Sequence, residues 1–432
     1  MNEDKSISRR TFLKGLAGGG ALLIGGKLLL GSSSYRNVAN SMRSMSGDDH
    51  AKHVRQIITH DSGTSRCIMW QSESALAGPK LEYRVKGSSE GQFVSAVDTS
   101  FEDDGRNNIQ YSARLDGLKP GEGYEYRIVN GDEAGGWHGL STDSGKAFKA
   151  LIFPDSQSAD YSGWEELAQA AAKRNPEAAF FVNMGDIVDN GEDFSQWQAW
   201  LYGVEGIIEE IPFVPVMGNH ETYNREWKVR LPEAYLRFFE APENGSETFK
   251  RYYYSFDYGD VHFVVLNTQW DETEEFKPGL MEEQLVWFRK DVAASHKKWK
   301  VVFLHKDVLQ YRIHKRPERT EGFSQVGESF MPLFDELGID IVFTAHLHTY
   351  RDRGHIRDFR RDESGPLYIL TGVAGDVRYP GLWIDHALDE VIAPQPETDN
   401  YLTLEAEKNS LTVRCFLPDG REIDNVKVEK QG

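Results

Sequence analysis

The chain has 432 residues, 39% of them hydrophobic and 12% aromatic, which is enough apolar side chain for sizeable cores and excludes a disordered tail or a low-complexity linker. The formal net charge is −19; residues 1–40 hold six basic and two acidic side chains, so the rest of the chain stands near −23, which disfavours nucleic acid or an anionic membrane as a partner. Only two cysteines occur, Cys67 and Cys415, so a disulfide scaffold and thiolate zinc sites are excluded, and both read as buried free thiols.

The chain opens on an export pattern. Residues 7–14 read Ile-Ser-Arg-Arg-Thr-Phe-Leu-Lys, and a small apolar run of 12 residues, 15–26, follows before Lys27 interrupts it. A charged start, a twin arginine and a weak apolar segment form the pattern of a bacterial twin-arginine signal, assigned to residues 1–40. The run is shorter than the roughly 20 residues a spanning helix needs. No Ala-x-Ala site follows, so cleavage and retention as an anchor both stay open, and no cysteine lies near for lipid attachment. The expected destination is the periplasm or cell envelope, with the twin-arginine export machinery as a partner. That route carries folded proteins and suits an enzyme that loads metal before crossing.

Residues 50–145 read as an all-β domain. Strand-like runs at 67–70, 81–85, 94–97, 109–115 and 124–129 are separated by turn signals such as Gly87-Ser88-Ser89 and Asp103-Asp104-Gly105. Leu81, Tyr83 and Val85 alternate, as do Ile109, Tyr111, Ala113 and Leu115, so each strand has one apolar face, as in a sandwich. The segment 118–127, Leu-Lys-Pro-Gly-Glu-Gly-Tyr-Glu-Tyr-Arg, resembles the strand-turn signature of fibronectin type III-like domains.

From residue 146 to the end the pattern changes to strand–helix alternation, an α/β domain. Apolar runs are predicted to be strands at 147–153, 178–184, 212–217, 261–267, 300–304 and 339–344, with helices over 161–174, 194–210 and 279–296. The chain closes on β-rich segments at 401–406, 411–416 and 426–428.

Polar side chains at the carboxyl ends of such strands are where an open α/β sheet places its ligands. That happens five times here: Asp155; Asp186 with Asp189; Asn219 with His220; His305; and His346 with His348. Carboxylates, an amide and imidazoles are the donor set of hard-to-borderline divalent metals. Each piece alone has a bland reading, a turn or a core histidine. All five at strand ends in one order point to a metal centre.

Gly185-Asp186-Ile187-Val188-Asp189, Gly218-Asn219-His220-Glu221, His305 and His346-Leu347-His348 resemble the motif series of calcineurin-like metallophosphoesterases. The β domain in front, and the stretch Thr344-Ala-His-Leu-His-Thr-Tyr-Arg351, resemble the purple acid phosphatase branch. The resemblance implies a four-layer α/β/β/α sandwich preceded by the fibronectin type III-like domain, with a dinuclear metal centre at one edge. It implies that Asp155, Gln157 and His348 hold the first metal, that Asn219, His305 and His346 hold the second, and that Asp186 bridges them. His220 is then the acid at the leaving group, and Asp189 orients it. The metals implied are Fe, Mn or Zn.

Two positions depart from the family pattern. Gln157 stands where an Asp-x-His motif has imidazole, so it either ligates through a weaker neutral oxygen or yields to water. Asp189 stands where purple acid phosphatases carry the tyrosine that binds ferric iron, so no purple colour is expected. Ala345 replaces a glycine and leaves both ligands in place.

Two cations lower the pKa of a bound water and neutralise phosphoryl charge, so the implied reaction is direct in-line hydrolysis of a phosphate ester, without a serine or cysteine nucleophile. A phosphomonoesterase of acid-phosphatase type is the first expectation. A phosphodiesterase, on cyclic nucleotides for instance, is the alternative, since Gly-Asp-x-x-Asp is shared with such branches. A non-catalytic cell-surface binding protein is a further alternative, to which only Gln157 points. The substrate is expected to be a small phosphate ester. Tyr223 either stacks on an aryl or base group or packs under its loop. The basic segment 306–319, with Arg312 and His314 as candidate substrate contacts, either attracts phosphate or is a solvated loop. Arg351 and Arg353 read as structural.

Overall fold

The strands of the α/β part are apolar on both faces because each lies in a sheet covered on both sides. In the strand Phe148–Phe153, Ala150 and Ile152 join a core shared by two sheets, while Leu151 and Phe153 face helices. The same alternation sends Phe180 and Val182 inward and Phe181 outward. The structure, a computed structural model, describes residues 51–431. The twin-arginine segment lies outside the described residues, and among those described no helix is long and apolar enough to cross a membrane.

Two sheets pack through that shared core, where Phe180, Phe256, Phe263, Phe303 and Phe343 interlock. Helices cover the outer faces. Ser162–Arg174 and Phe194–Gly203 lie over the first sheet, with Trp164 and Trp200 stacked at 5.6 Å. Leu280–Ala294 and Gln325–Leu337 lie over the second through Phe288, Phe330 and Phe334. This is the four-layer arrangement.

In the first sheet, Phe148–Phe153, Ala178–Asn183 and Phe213–Pro215 run parallel. In the second, Val261–Val265, Trp299–Phe303, Ile341–Thr344 and Leu367–Thr371 do the same. Parallel strands present all their carboxyl ends at one edge. Residues 155, 186, 219–220, 305 and 346–348 follow those ends, which is why they meet.

The amino-terminal region is a sandwich whose inner faces join Ile68, Trp70, Leu81, Tyr111, Tyr124 and Tyr126. One of its sheets does not stop at that region. Lys52–Ile57 runs parallel to Phe213–Pro215, with Ile57 opposite Phe213. Arg66–Ser72, Arg106–Leu115 and Val97–Asp103 follow, so one ten-stranded sheet crosses from the amino-terminal region into the α/β part. Strand Lys52–Ile57, with Arg55 and Gln56 buried in it, has no apolar alternation to announce it.

Three local expectations need correction. The helix predicted over 194–210 ends at Gly203, because residues 204–211 turn instead around Gly206, whose φ is 82°. The strand predicted at 94–97 is two strands, Gln92–Ser95 and Val97–Asp103. The helix Gln325–Leu337 was not predicted; Ser324 caps its start by accepting the Gly327 N–H, and Gly338 ends it in the left-handed region. Cys67 and Cys415 are both free and buried.

Candidate metal centre

The five strand ends bring two clusters together, and Asp186 belongs to both. One ligand atom each from Asp186, His305 and His346 lie within 4.8 Å of one another, and the same holds for Asp155, Asp186 and His348. Asp155, Asp186, His305 and His348 are buried. Asn219 joins the first cluster, its Oδ1 lying 3.2 Å from His305 Nε2. Asp186 Oδ2 lies 3.1 Å from the same nitrogen, and Asp155 Oδ2 lies 3.1 Å from His348 Nε2.

Main-chain carbonyls set the imidazoles. His305 donates its Nδ1–H to Met184 O at 3.0 Å, and His348 donates to Val377 O at 2.9 Å. Each ring therefore turns Nε2 toward the carboxylates, which fixes the tautomer a metal needs. His346 differs: its Nδ1 is buried and has no hydrogen-bond partner. Gln157 Oε1 is likewise buried and unpartnered, while the Gln157 main-chain N–H donates to Asp186 O. Buried polar atoms left unpaired are costly and rare, and an imidazole nitrogen and an amide oxygen are both metal donors. The residues fit a pair of cations.

The charged groups of the two clusters also shift one another's ionisation. Burial opposes ionisation of Asp186, yet His305 and His220 hold its carboxyl well below the usual range. Burial works against charge on His305 too, but Asp186 pushes it up to about 9. Burial and the neighbouring His305 push His346 down to about 4, so its ring is neutral.

The backbone is bent to present these groups. Asp186, His346 and His348 all have positive φ, at 46°, 77° and 53°, where non-glycine residues are strained and which clusters at functional sites. The Asp186 loop is held from beneath by Glu221. Its buried carboxylate accepts N–H groups from Gly218 at 2.7 Å, Ile187 at 2.8 Å, Asp186 at 3.0 Å and Val188 at 3.3 Å. Burial and the charge of Asp186 push Glu221 up to about 7, while the Gly218 and Val188 N–H groups favour its ionised form. Gly218 is required where it stands: a Cβ there would lie 2.2 Å from Asp186 N.

His220 sits at the mouth, its side chain 15% exposed, with Nε2 4.0 Å from Asp186 Oδ2. Its Nδ1–H donates to Asp189 O at 2.7 Å. Tyr223 lies beside it, ring centroids 5.6 Å apart. Arg312 and His314 make their contacts outside the two clusters. Arg312 pairs with Glu321 at 3.6 Å on a short strand beside Trp383–Ile384, and His314 donates its main-chain N–H to Leu382. Among the described residues no hydrogen bond, ion pair or ring contact joins either to the clusters. Arg351 and Arg353 are buried: Arg353 grips both oxygens of Asp307 and Arg351 pairs with Asp385 and Asp389.

Sequence reasoning gives no role to Glu221, Trp227 or Tyr379. The Tyr379 ring lies tilted against His348, centroids 4.9 Å apart, and the residue is 38% exposed. Glu221 was visible beside Asn219-His220; the other two carry no local signal.

Fold and site together define a calcineurin-like metallophosphoesterase architecture with a purple acid phosphatase amino-terminal domain. Residues 138–350 match the calcineurin-like phosphoesterase family, and residues 51–142 match the purple acid phosphatase N-terminal domain. The chain thus carries a calcineurin-like phosphoesterase domain and a purple acid phosphatase N-terminal domain. Purple acid phosphatase 15 of Arabidopsis thaliana is 29% identical over 209 residues, 47% of this chain and 36% of that protein. Purple acid phosphatase 13 of the same plant is 28% identical over 236 residues, 52% of this chain and 40% of that one. The matched region spans under half the length of these relatives. An uncharacterised Mycobacterium tuberculosis protein is 24% identical over 388 residues, 81% of this chain and 72% of that protein. In fold, a purple acid phosphatase from yellow lupin (Lupinus luteus) seeds superposes with a TM-score of 0.70 at 17% identity, covering 88% of this chain and 74% of that one. PhoD superposes with a TM-score of 0.61 at 12% identity, covering 86% and 91%.

Proposed function

We propose that the protein is an exported, dinuclear-metal phosphoric ester hydrolase acting as a phosphomonoesterase on small phosphate esters. The observation that carries this reading is the sharing of Asp186 between two buried clusters. Asp155, Gln157 and His348 would hold one cation, Asn219, His305 and His346 the other, with Asp186 between them. When bound, the cations supply Lewis acidity, neutralising phosphoryl charge and making water nucleophilic near neutral pH.

The chain's own residues do the rest. Three of the ligands are locked by main-chain partners: His305 and His348 by carbonyls, and Asp155, whose oxygens accept the His346 N–H at 3.0 and 3.1 Å. A site preset this way spends no free energy on reorganisation during the reaction. His220, anchored through Nδ1, leaves Nε2 to face the cleft and as imidazolium gives its proton to the departing alkoxide oxygen. Among the described residues no carboxylate but Asp189 lies within ion-pairing reach of His220 Nδ1.

The test is elemental analysis of purified protein together with turnover of p-nitrophenyl phosphate and bis-p-nitrophenyl phosphate. Two metals per chain, faster monoester turnover and loss of both in Asp186→Ala are expected. Faster diester turnover would reassign the protein as a phosphodiesterase. Neither metal nor activity after reloading with Fe, Mn or Zn would favour a binding protein. Export is tested separately: replacing Arg9 and Arg10 by lysine is expected to hold the protein in the cytoplasmic fraction.

A further inference from the structure

Two side chains beside His220, Trp227 and Tyr223, are not used by the metal centre or the chemistry above. Trp227 is a large apolar residue left 57% exposed. Its ring lies 5.8 Å from His220 at an interplanar angle of 85° and 6.2 Å from Tyr223. Neither neighbour stacks flat on the indole, and more than half of the residue stays open to solvent. Trp227 also has a φ of 60°, where a residue with a bulky side chain is strained. Neither burial nor backbone comfort accounts for a tryptophan there.

The conformation is imposed by its loop. Trp227 N–H donates to Asn224 O at 2.8 Å, and Asn224 Oδ1 accepts the N–H groups of Glu226 and Lys228 at 3.0 and 2.8 Å. Both arginines of the loop are held by the amino-terminal β region. Arg230 grips Asp103 through both oxygens, at 2.7 and 3.1 Å, and Arg225 reaches Asp104 at 2.8 Å. Asp104 also accepts the Phe194 N–H at 3.2 Å. Asp103 and Asp104 form the tip of the hairpin Val97–Asp103 and Arg106–Leu115, whose strands belong to the ten-stranded sheet. With Arg225 and Arg230 held by Asp103, Asp104 and Glu192, and Lys228 paired to Glu226, the loop leaves no unpaired cation beside His220 among the described residues, and the exposed side chain there is the Trp227 ring.

Resting on the phosphomonoesterase reading, we propose that Trp227 with Tyr223 is the leaving-group surface of this site, that it takes a planar, uncharged aromatic group, and that the amino-terminal domain builds it through Asp103 and Asp104. The leaving group of the ester is the part that meets His220, so a ring wall touching His220 meets it too. Asp103 and Asp104 are positioning residues, acting through the loop.

The test uses two pairs of esters matched in leaving-group basicity: adenosine 5′-monophosphate against ribose 5-phosphate, and 2-naphthylmethyl phosphate against cyclohexylmethyl phosphate. The metal-loaded full chain is expected to favour the aromatic member of at least one pair by about tenfold in kcat/KM, the size of a single ring-stacking contact. A preference in the first pair names a nucleobase as the group; a preference in the second alone names an aryl group. Trp227→Ala is expected to bring the ratio near one, and Trp227→Phe to keep most of it. The double change Asp103→Asn with Asp104→Asn is expected to raise KM for the aromatic member while leaving the ratio of kcat values in place, a split that general loss of stability does not produce. Ratios near one in the parent protein, or a ratio that Trp227→Ala does not move, would overturn the proposal. Calorimetric affinities for the same four esters read the surface without turnover. Aromatic preference in binding with no hydrolysis overturns the phosphomonoesterase reading and not this one.

Discussion

The Nδ1–H of His220 donates to the main-chain carbonyl of Asp189 at 2.7 Å, while the nearer carboxylate oxygen of Asp189 stands 3.5 Å away. The imidazole is therefore oriented chiefly by backbone, and the Asp189 side chain adds charge at longer range. Asp189→Ala is expected to lower kcat by less than about tenfold, because the carbonyl remains. His220→Ala removes the proposed acid and is expected to cost about 10²–10⁴-fold. Steady-state kinetics on a monoester with a poor leaving group check both, since such a substrate depends most on protonation. Equal losses in the two variants would show that the carboxylate, not the carbonyl, does the orienting.

Gln157 and Asp186 are expected to separate in metal content. Asp186 serves both clusters, so Asp186→Ala removes both cations. Gln157 Oε1 is one buried unpaired oxygen, and Gln157→Ala is expected to weaken one cation and spare the other. Elemental analysis after dialysis against a weak chelator reads this directly. Two tightly held metals in Gln157→Ala would remove that oxygen from the ligand set.

Glu221→Gln keeps the shape and removes acceptor capacity. The amide has one oxygen for four N–H groups, and its NH₂ would face donors. Each buried donor left unpaired costs about 1–3 kcal/mol. The expected result is a melting temperature lowered in chelated and metal-loaded protein alike, with weaker metal binding. A loss seen only in the loaded form would instead make Glu221 part of the metal's own shell.

His262 supplies a pH dependence away from the metal centre. It is buried between Asp257 at 2.8 Å and Asp291 at 2.9 Å. Burial opposes its charge, but the two carboxylates raise it from 6.5 to about 9. A pKa raised by folding means that the folded form binds the proton more tightly. The stabilisation is therefore complete below about pH 6.5 and is lost as pH rises through about 9. At roughly 1.4 kcal/mol per unit the ceiling is about 3 kcal/mol. The stability gap between the parent chain and His262→Gln, from denaturant titrations, is expected to be widest at pH 6 and to close by pH 10. A gap that does not change with pH would mean that the ring is neutral throughout.

The residues of the two clusters were legible because their signal is local. An apolar strand followed at once by Asp, Asn or His can be read from a few adjacent positions, and so can His346-Leu347-His348. Departures were legible in the same way, as Gln157 and Asp189 show. The second half of the helix predicted over 194–210 failed because its apolar spacing, with Ile207, Ile208 and Ile211, is equally served by turns packing on the same core. Arg312 and His314 followed from charge and position in the chain, and nothing in either reports that Glu321 and Leu382 are their neighbours.

By itself the sequence carried the candidate donor set, the order in which strands deliver it, the apolar runs that bury the α/β strands on both faces, and the alternation that gives the amino-terminal strands one apolar face. Those are properties of neighbouring residues and of a period of two. Tertiary structure alone decided which atoms meet. His346 N–H reaches Asp155 across 191 positions, Lys52–Ile57 extends a catalytic sheet, and Asp103 holds Arg230 beside His220. Such pairings depend on which packed arrangement closes the whole chain, and no window of local sequence carries that information.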